Sequence, residues 1–129
     1  MSHNVLIADD GKMNRFIIKK ILNDNIEDVK IFEAVNGLEA LEIIDKEDID
    51  LLILDLIMPK MNGFETLKTL DKRNITDDIP VIVSSTITEI TSIEQTLGSG
   101  AIDYFTKPLS KEEIDIILPL KVKNAIKTY

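Results

Sequence analysis

Three acidic residues, a lysine and two hydroxyls each follow a short apolar run. Asn4-Val5-Leu6-Ile7-Ala8 leads into Asp9 and Asp10, and Leu51-Leu52-Ile53-Leu54 leads into Asp55. Ile79 to Ser84 leads into Ser85 and Thr86, and Ala101 to Thr106 leads into Lys107 and Pro108. Short runs apolar on both faces read as strands inside a parallel sheet. In such a sheet every carboxyl end points the same way, toward the crevice where ligand chemistry sits. These side chains can therefore converge on one rim. Two unit charges ~4 Å apart cost about 4 kcal/mol at an effective dielectric of about 20, so three carboxylates there call for a cation. Oxygen ligands without His or Cys favour a hard ion such as Mg²⁺, which keeps waters free for phosphate. Lys107 adds a second positive group and Ser85 a hydrogen-bond donor. Such a site neutralises charge on a transferring phosphoryl group, and a carboxylate can be the nucleophile. Each residue alone has a plainer reading. Asp55 could cap a helix, although Pro59 and Gly63 punctuate a loop before any helix starts.

The elements that must position these groups alternate in period. Gly11 to Asn23 reads as a helix, with Met13, Phe16, Ile17, Ile21 and Leu22 on one face and Lys19 and Lys20 free for solvent. Val29 to Ala34 reads as a strand, more polar and nearer an edge. Leu38, Ala40, Leu41 and Ile44 mark a helix ending near Glu47, and Phe64, Leu67 and Leu70 a third reaching Asp71. Residues 73–78 are loop-like. Ile90, Ile93 and Leu97 suggest a fourth helix, stopped by Gly98-Ser99-Gly100. Ser110 and Glu113 form a capping box that opens a last helix. Strand and helix thus alternate, the pattern of a parallel sheet with helices on both faces. Pro119 must kink or end the last helix, or start another.

Composition narrows the class. The 129 residues suit one domain, and at 44% hydrophobic the chain can bury a core. The formal net charge of −8 argues against direct nucleic-acid binding, which wants a basic patch. Without cysteine, disulfides and thiolate metal sites are excluded. His3 sits in the polar start Met1-Ser2-His3-Asn4 and reads as a frayed terminal residue. No run approaches the ~18 apolar residues of a membrane span, and no signal-peptide pattern opens the chain, so a cytoplasmic location is expected. After Asp115 there is no further acid, while Lys121, Lys123 and Lys127 follow. Residues 119–129 are then either the end of the last helix or a basic connector to an output domain.

Asp9-Asp10, Asp55 with Met58-Pro59 and Gly63, Ser85, Tyr104 and Lys107-Pro108 together resemble the receiver domain of bacterial two-component response regulators. The resemblance spans residues 4–118, with 1–118 taken as the receiver domain. It implies a flavodoxin-like (βα)5 doubly wound α/β fold with strand order 2-1-3-4-5. It implies that Asp55 is the phosphoacceptor, taking a phosphoryl group from a sensor histidine kinase or phosphotransfer protein. Asp10 would bind Mg²⁺ directly, Asp9 partly through water, and the backbone carbonyl of Ile57 would complete the metal site with Asp55. Lys107 would pair with phosphoryl oxygens, Ser85 would swing toward the phosphate, and Tyr104 would be the aromatic switch that follows it. The protein would be a signalling domain, catalysing only its own phosphorylation and dephosphorylation, with a downstream output domain or protein as partner.

Some positions depart from the family pattern. Thr86 stands where Ala or Gly is usual, and its bulk is expected to narrow phosphodonor access or alter loop closure. Gly11 replaces a commonly polar residue. In the family the positions of Ile57 and Ile87 flank the path of the hydrolytic water; here both are apolar, which predicts a long-lived aspartyl phosphate. Residues 88–98 contain no Lys or Arg, so the ion-paired dimer of the DNA-binding subfamily is not expected. The rival enzyme reading, a haloacid dehalogenase-type phosphatase, wants an acid two residues after the nucleophile, where this chain has Ile57. A flavodoxin wants a hydroxyl- and glycine-rich phosphate loop after the first strand, where this chain has Asp9-Asp10.

Overall fold

Alternating side chains sort the apolar residues of each strand onto two faces, and the sheet is built on that rule. The computed structural model describes residues 2–128; Met1 and Tyr129, which end the polar start and the 119–129 tail, lie outside the described residues. The strands are β1 (His3–Ala8), β2 (Val29–Ala34), β3 (Leu51–Leu54), β4 (Val81–Ser85) and β5 (Ala101–Thr106), all parallel in the order β2-β1-β3-β4-β5. The polar strand β2 is an edge, as its composition predicts. Leu6, Ala8, Leu52, Leu54, Val81 and Val83 lie in one core cluster with Ala40, Leu67 and Leu70 from two helices, α2 (Gly37–Lys46) and α3 (Gly63–Lys72). Val5, Ile7, Leu51, Ile53, Ile82 and Phe105 lie in the other, with helices α1 (Lys12–Asn25) and α5 (Leu118–Thr128). Every residue of β3 is buried. At about 1.5–3 kcal/mol for each buried Leu or Ile, this strand anchors both clusters.

The structure corrects several details. His3 is not frayed: it opens β1, pairs with Val29, and its amide donates to the Asp28 carbonyl at 2.9 Å. On α1 the buried residues are Ile18, Ile21 and Leu22, while Met13 and Phe16 are 68% and 62% exposed. Leu38 on α2 is also exposed. The fourth helix, α4 (Ile90–Gly98), buries only Thr96 and turns Ile90 and Leu97 outward. A short 3-10 turn, Ile75–Asp77, interrupts the expected loop. The capping box at Ser110 forms as expected, with each residue's amide donating to the other's side chain. A π-helical segment, Glu113–Ile117, leads into α5. Pro119, which has no N–H to donate, sits just past this widened turn and continues the helix without breaking it.

The first turn of α3 is pressed beneath the end of β3. The Gly63 amide donates to the Leu56 carbonyl at 2.9 Å. A Cβ on Gly63 would overlap the Asp55 carbonyl oxygen and stand 2.6 Å from Leu56 Cα. Backbone cannot give way as a flexible side chain can. Gly63→Ala is therefore expected to cost about 3 kcal/mol in urea unfolding, the upper end for overpacking. A loss below about 0.5 kcal/mol, the ordinary range of a surface change, would contradict the close approach.

Candidate functional site

Register brings the acidic residues together. Ala8 pairs with Leu54, so the next residues, Asp9 and Asp55, leave the sheet side by side. The Asp55 amide donates to the Ala8 carbonyl at 2.9 Å, and the Asp9 amide to the Ala34 carbonyl at 3.0 Å. On the other side Ser85 pairs with Thr106, and the Lys107 amide donates to the Ser85 carbonyl at 2.8 Å. The peptide between Lys107 and Pro108 is cis. The Lys107 side chain crosses the strand ends: its Nζ lies 2.8 Å from Asp9 Oδ2 and 3.2 Å from Asp55 Oδ2. Asp9, Asp55 and the Lys107 side chain are all under 10% exposed.

Asp10 stands at the exposed edge of this group. One carboxylate oxygen from each of Asp9, Asp10 and Asp55 lies within 4.8 Å of the other two. Asp9 Oδ1 accepts from the Gly11 amide at 2.8 Å, and Asp55 Oδ1 from the Ile57 amide at 3.2 Å. Burial pushes the Asp55 carboxyl up; Lys107 pulls it down, the Asp9 charge pushes it up again, and the net change is upward. Three carboxylates thus gather beside one ammonium that contacts two of them, leaving a surplus of negative charge in a partly desolvated place. The donors are all oxygens and one acid is open to solvent, which fits a hard divalent cation that keeps some of its waters. Asp9, Asp10 and Asp55 are the side chains that would hold it, and the Ile57 peptide lies against Asp55.

The remaining site residues fall around this centre. Ser85 is 0% exposed, and its Oγ, near the Tyr104 hydroxyl, makes no hydrogen bond of good geometry. An unpaired buried hydroxyl costs about 1–3 kcal/mol, so its retention at the rim asks for an explanation. Tyr104 is half-buried, and its hydroxyl donates to the Ile87 carbonyl at 2.6 Å, tying β5 to the loop after β4. Burial raises the Tyr104 phenol, with the nearby Ser85 hydroxyl opposing and the Asp55 charge adding. Thr86 is exposed on the rim. The two isoleucines differ: Ile57 is 53% exposed beside Asp55, whereas Ile87 packs against the core cluster near Tyr104.

Sequence reading missed Arg15. Its side chain is 14% exposed; Nη1 donates to the Asp9 carbonyl at 2.7 Å and Nε to Glu33 Oε1 at 2.9 Å. Glu33 Oε2 accepts from Lys19 at 3.2 Å. Burial pushes the Glu33 carboxyl up, but Lys19 and Arg15 outweigh it and hold the group below its ordinary value. The one available signal was pairing: Ala8 lies beside Ala34, which brings Glu33 to the side of the acid pair.

Comparison with known proteins follows the same lines. The family profile of the response regulator receiver domain matches residues 5–118. The chain is 34% identical to sporulation initiation phosphotransferase F of Bacillus subtilis (strain 168), over 100% of this chain and 94% of that protein. It is 36% identical to response regulator RR06 of Streptococcus pneumoniae serotype 2, over 98% of this chain but 54% of that protein. Among solved structures, the receiver domain of the Francisella response regulator 1452 superposes with a TM-score of 0.83 at 34% identity, covering 98% of each chain.

Proposed function

The chain belongs to the response regulator receiver domain family, and from that premise we propose that Asp55 accepts a phosphoryl group from a phosphohistidine and that the event is read out at Ser85 and Tyr104. The observation that carries this reading is the meeting of Asp9, Asp10 and Asp55 beside the Lys107 ammonium. Such a cluster is costly unless it serves a cation and an incoming phosphoryl group. An Asp55 carboxylate oxygen attacks phosphorus, the P–N bond to the donor imidazole breaks, and its electron pair returns to the ring nitrogen. Mg²⁺ held by Asp9, Asp10, Asp55 and the Ile57 carbonyl would neutralise charge on the phosphoryl oxygens. Lys107 exchanges its contact with Asp55 for one of those oxygens. A cavity of about 90 Å³ lined by Ile17, Ile18, Ile53, Ser84 and Leu109 adjoins it and leaves the side chain room to shift.

The orphaned Ser85 hydroxyl then gains the acceptor it lacks by moving toward the acyl phosphate. Tyr104 follows once its bond to the Ile87 carbonyl is given up, which changes the outer face of β5. This is a population shift between two surfaces, with the phosphoryl group as the ligand that prefers one of them. Exposed Met13 and Phe16, on the helix that follows the acid pair, suit the phosphodonor, a histidine kinase or phosphotransfer protein. Exposed Ile90, Leu97 and Ile102 suit a downstream partner. We place the receiver unit at residues 1–118 and the protein in the cytoplasm; among the described residues no helix is long and apolar enough to cross a membrane. The test is incubation with Mg²⁺ and a small-molecule phosphodonor, followed by a search for an acid-stable, base-labile adduct. An adduct mapped to Asp55 supports the reading, and its absence sinks it.

The lifetime of that adduct is a separate matter. Ile57 is exposed beside Asp55 and Ile87 lies in the loop after β4, with Thr86 between Ser85 and Ile87. Neither isoleucine can hydrogen-bond a water in line with the acyl phosphate. Replacing them together by Asn and Glu is expected to speed loss of phosphate about tenfold, by giving the water a partner that orients it. Radiolabel chase of the wild type and of the Ile57→Asn/Ile87→Glu protein reads this directly. Equal decay rates would remove both residues from the account.

A further inference from the structure

Both backbone groups of Asp9 are held, but the Asp10 side chain is left free. The Asp9 amide is bonded to Ala34 and the Asp9 carboxylate to Gly11 and Lys107. Asp10 is exposed, and among the described residues its carboxylate makes no hydrogen bond or ion pair. What aims Asp10 is therefore the peptide that precedes it, and the oxygen of that peptide is the Asp9 carbonyl. Arg15 Nη1 donates to this oxygen at 2.7 Å. Arg15 is in turn fixed through Nε by Glu33 on the edge strand, and Glu33 is fixed by Lys19.

We propose that Arg15, braced by Glu33, is a positioning residue for the acid pair: it sets the plane of the Asp9–Asp10 peptide and so presents Asp10 to the divalent cation. The inference rests on the reading of Asp9, Asp10 and Asp55 as a cation site. Its sign is what makes it informative. Arg15 is a cation one peptide away from where another cation would bind. By Coulomb's law alone its removal strengthens Mg²⁺ binding. By positioning, its removal weakens it, because groups that orient metal ligands are worth about 10- to 100-fold in affinity. The guanidinium geometry matters as well as the charge. The fork reaches the Asp9 carbonyl and Glu33 from one rigid plane, which a lysine ammonium cannot do.

The experiment is Mg²⁺ titration calorimetry on the unphosphorylated full chain, for wild type, Arg15→Ala and Arg15→Lys, with thermal midpoints in chelator to follow the fold itself. Arg15→Ala is expected to bind Mg²⁺ about tenfold more weakly. Arg15→Lys is expected to recover little of that loss although it restores the charge. Unchanged or tighter binding by Arg15→Ala overturns the inference. If Arg15→Ala fails to fold, Arg15→Lys decides alone, since charge without positioning predicts wild-type affinity there. The underlying site reading is judged separately on the wild type: a wild-type chain that binds no Mg²⁺ overturns it, whatever the variants do.

Discussion

Asp55→Asn is expected to abolish the acyl phosphate while making the protein more stable. The first half follows from chemistry: an amide offers no anionic oxygen to attack phosphorus, and no second carboxylate stands where Asp55 stands. Asp9 is tied to Lys107 and Gly11, and Asp10 lies at the exposed edge. The second half follows from linkage. The Asp55 carboxyl lies above its ordinary value in the folded chain, first because of burial, with Asp9 adding and Lys107 opposing. A folded state that holds a proton more tightly than the unfolded chain loses stability as pH rises through that window. Below the unfolded value both states are protonated and the penalty is absent. Above the folded value it is present in full, so at neutral pH wild type carries it and Asp55→Asn does not. Every tenfold gain in the carboxyl's proton affinity on folding corresponds to about 1.4 kcal/mol. An increase of about 4 °C in thermal midpoint at neutral pH without Mg²⁺ is the expected scale, shrinking toward zero in acid. A variant that keeps its adduct, or that loses stability at neutral pH, contradicts this account of Asp55.

The legible and illegible parts of this chain divide along a physical line. The run Leu51–Leu54 ending in Asp55 could be read because β3 is buried on both faces, which removes any question of which side faces inward. The convergence of Asp9, Asp55, Ser85 and Lys107 needed only parallel strands, whose ends share one direction. The strand order came with the family resemblance rather than from periodicity. Helix faces were harder. The spacing of Met13, Phe16, Ile17, Ile21 and Leu22 suggests one side of α1, yet Met13 and Phe16 are exposed while Ile21 and Leu22 are buried. It does not say how far the helix is rolled, and the true core stripe is Ile18, Ile21 and Leu22. On α4 the spacing likewise left the roll of the helix open, and Ile90 and Leu97 face outward. Arg15 escaped notice because its partners are the Asp9 carbonyl and Glu33. A hydrogen bond to a main-chain oxygen leaves no mark on residue type or period. The unpartnered state of Ser85 is likewise a property of packing, invisible until its neighbours are placed.

The sharpest test of the electrostatic account is Lys107→Met. Met fills a similar volume without charge, so packing is kept while the ammonium is lost. Asp9 and Asp55, 5% exposed each, then face one another with no counter-charge. Removing one partner from a buried charge cluster costs about 3–5 kcal/mol, and the low end is expected because Asp10 and one edge of the site reach solvent. The pH dependence has a definite sign. Without Lys107 the main force that lowers Asp55 is gone and only the Ile57 amide still opposes burial and Asp9, so its folded-state value climbs further. The variant's deficit should therefore be largest at neutral pH and shrink as acid protonates the pair. Mg²⁺ gives a second handle. In wild type the Lys107 ammonium, 2.8 and 3.2 Å from Asp9 and Asp55, opposes by its charge a second cation at the same carboxylates. In Lys107→Met that competitor is absent, so Mg²⁺ should bind more tightly and recover much of the lost stability, at about 1.4 kcal/mol for each tenfold excess over its dissociation constant. Urea unfolding across pH, with and without Mg²⁺, measures every part of this. A Lys107→Met protein as stable as wild type at neutral pH, with no gain in Mg²⁺ affinity, would show that the lysine is a bystander and not the counter-ion that holds the site together.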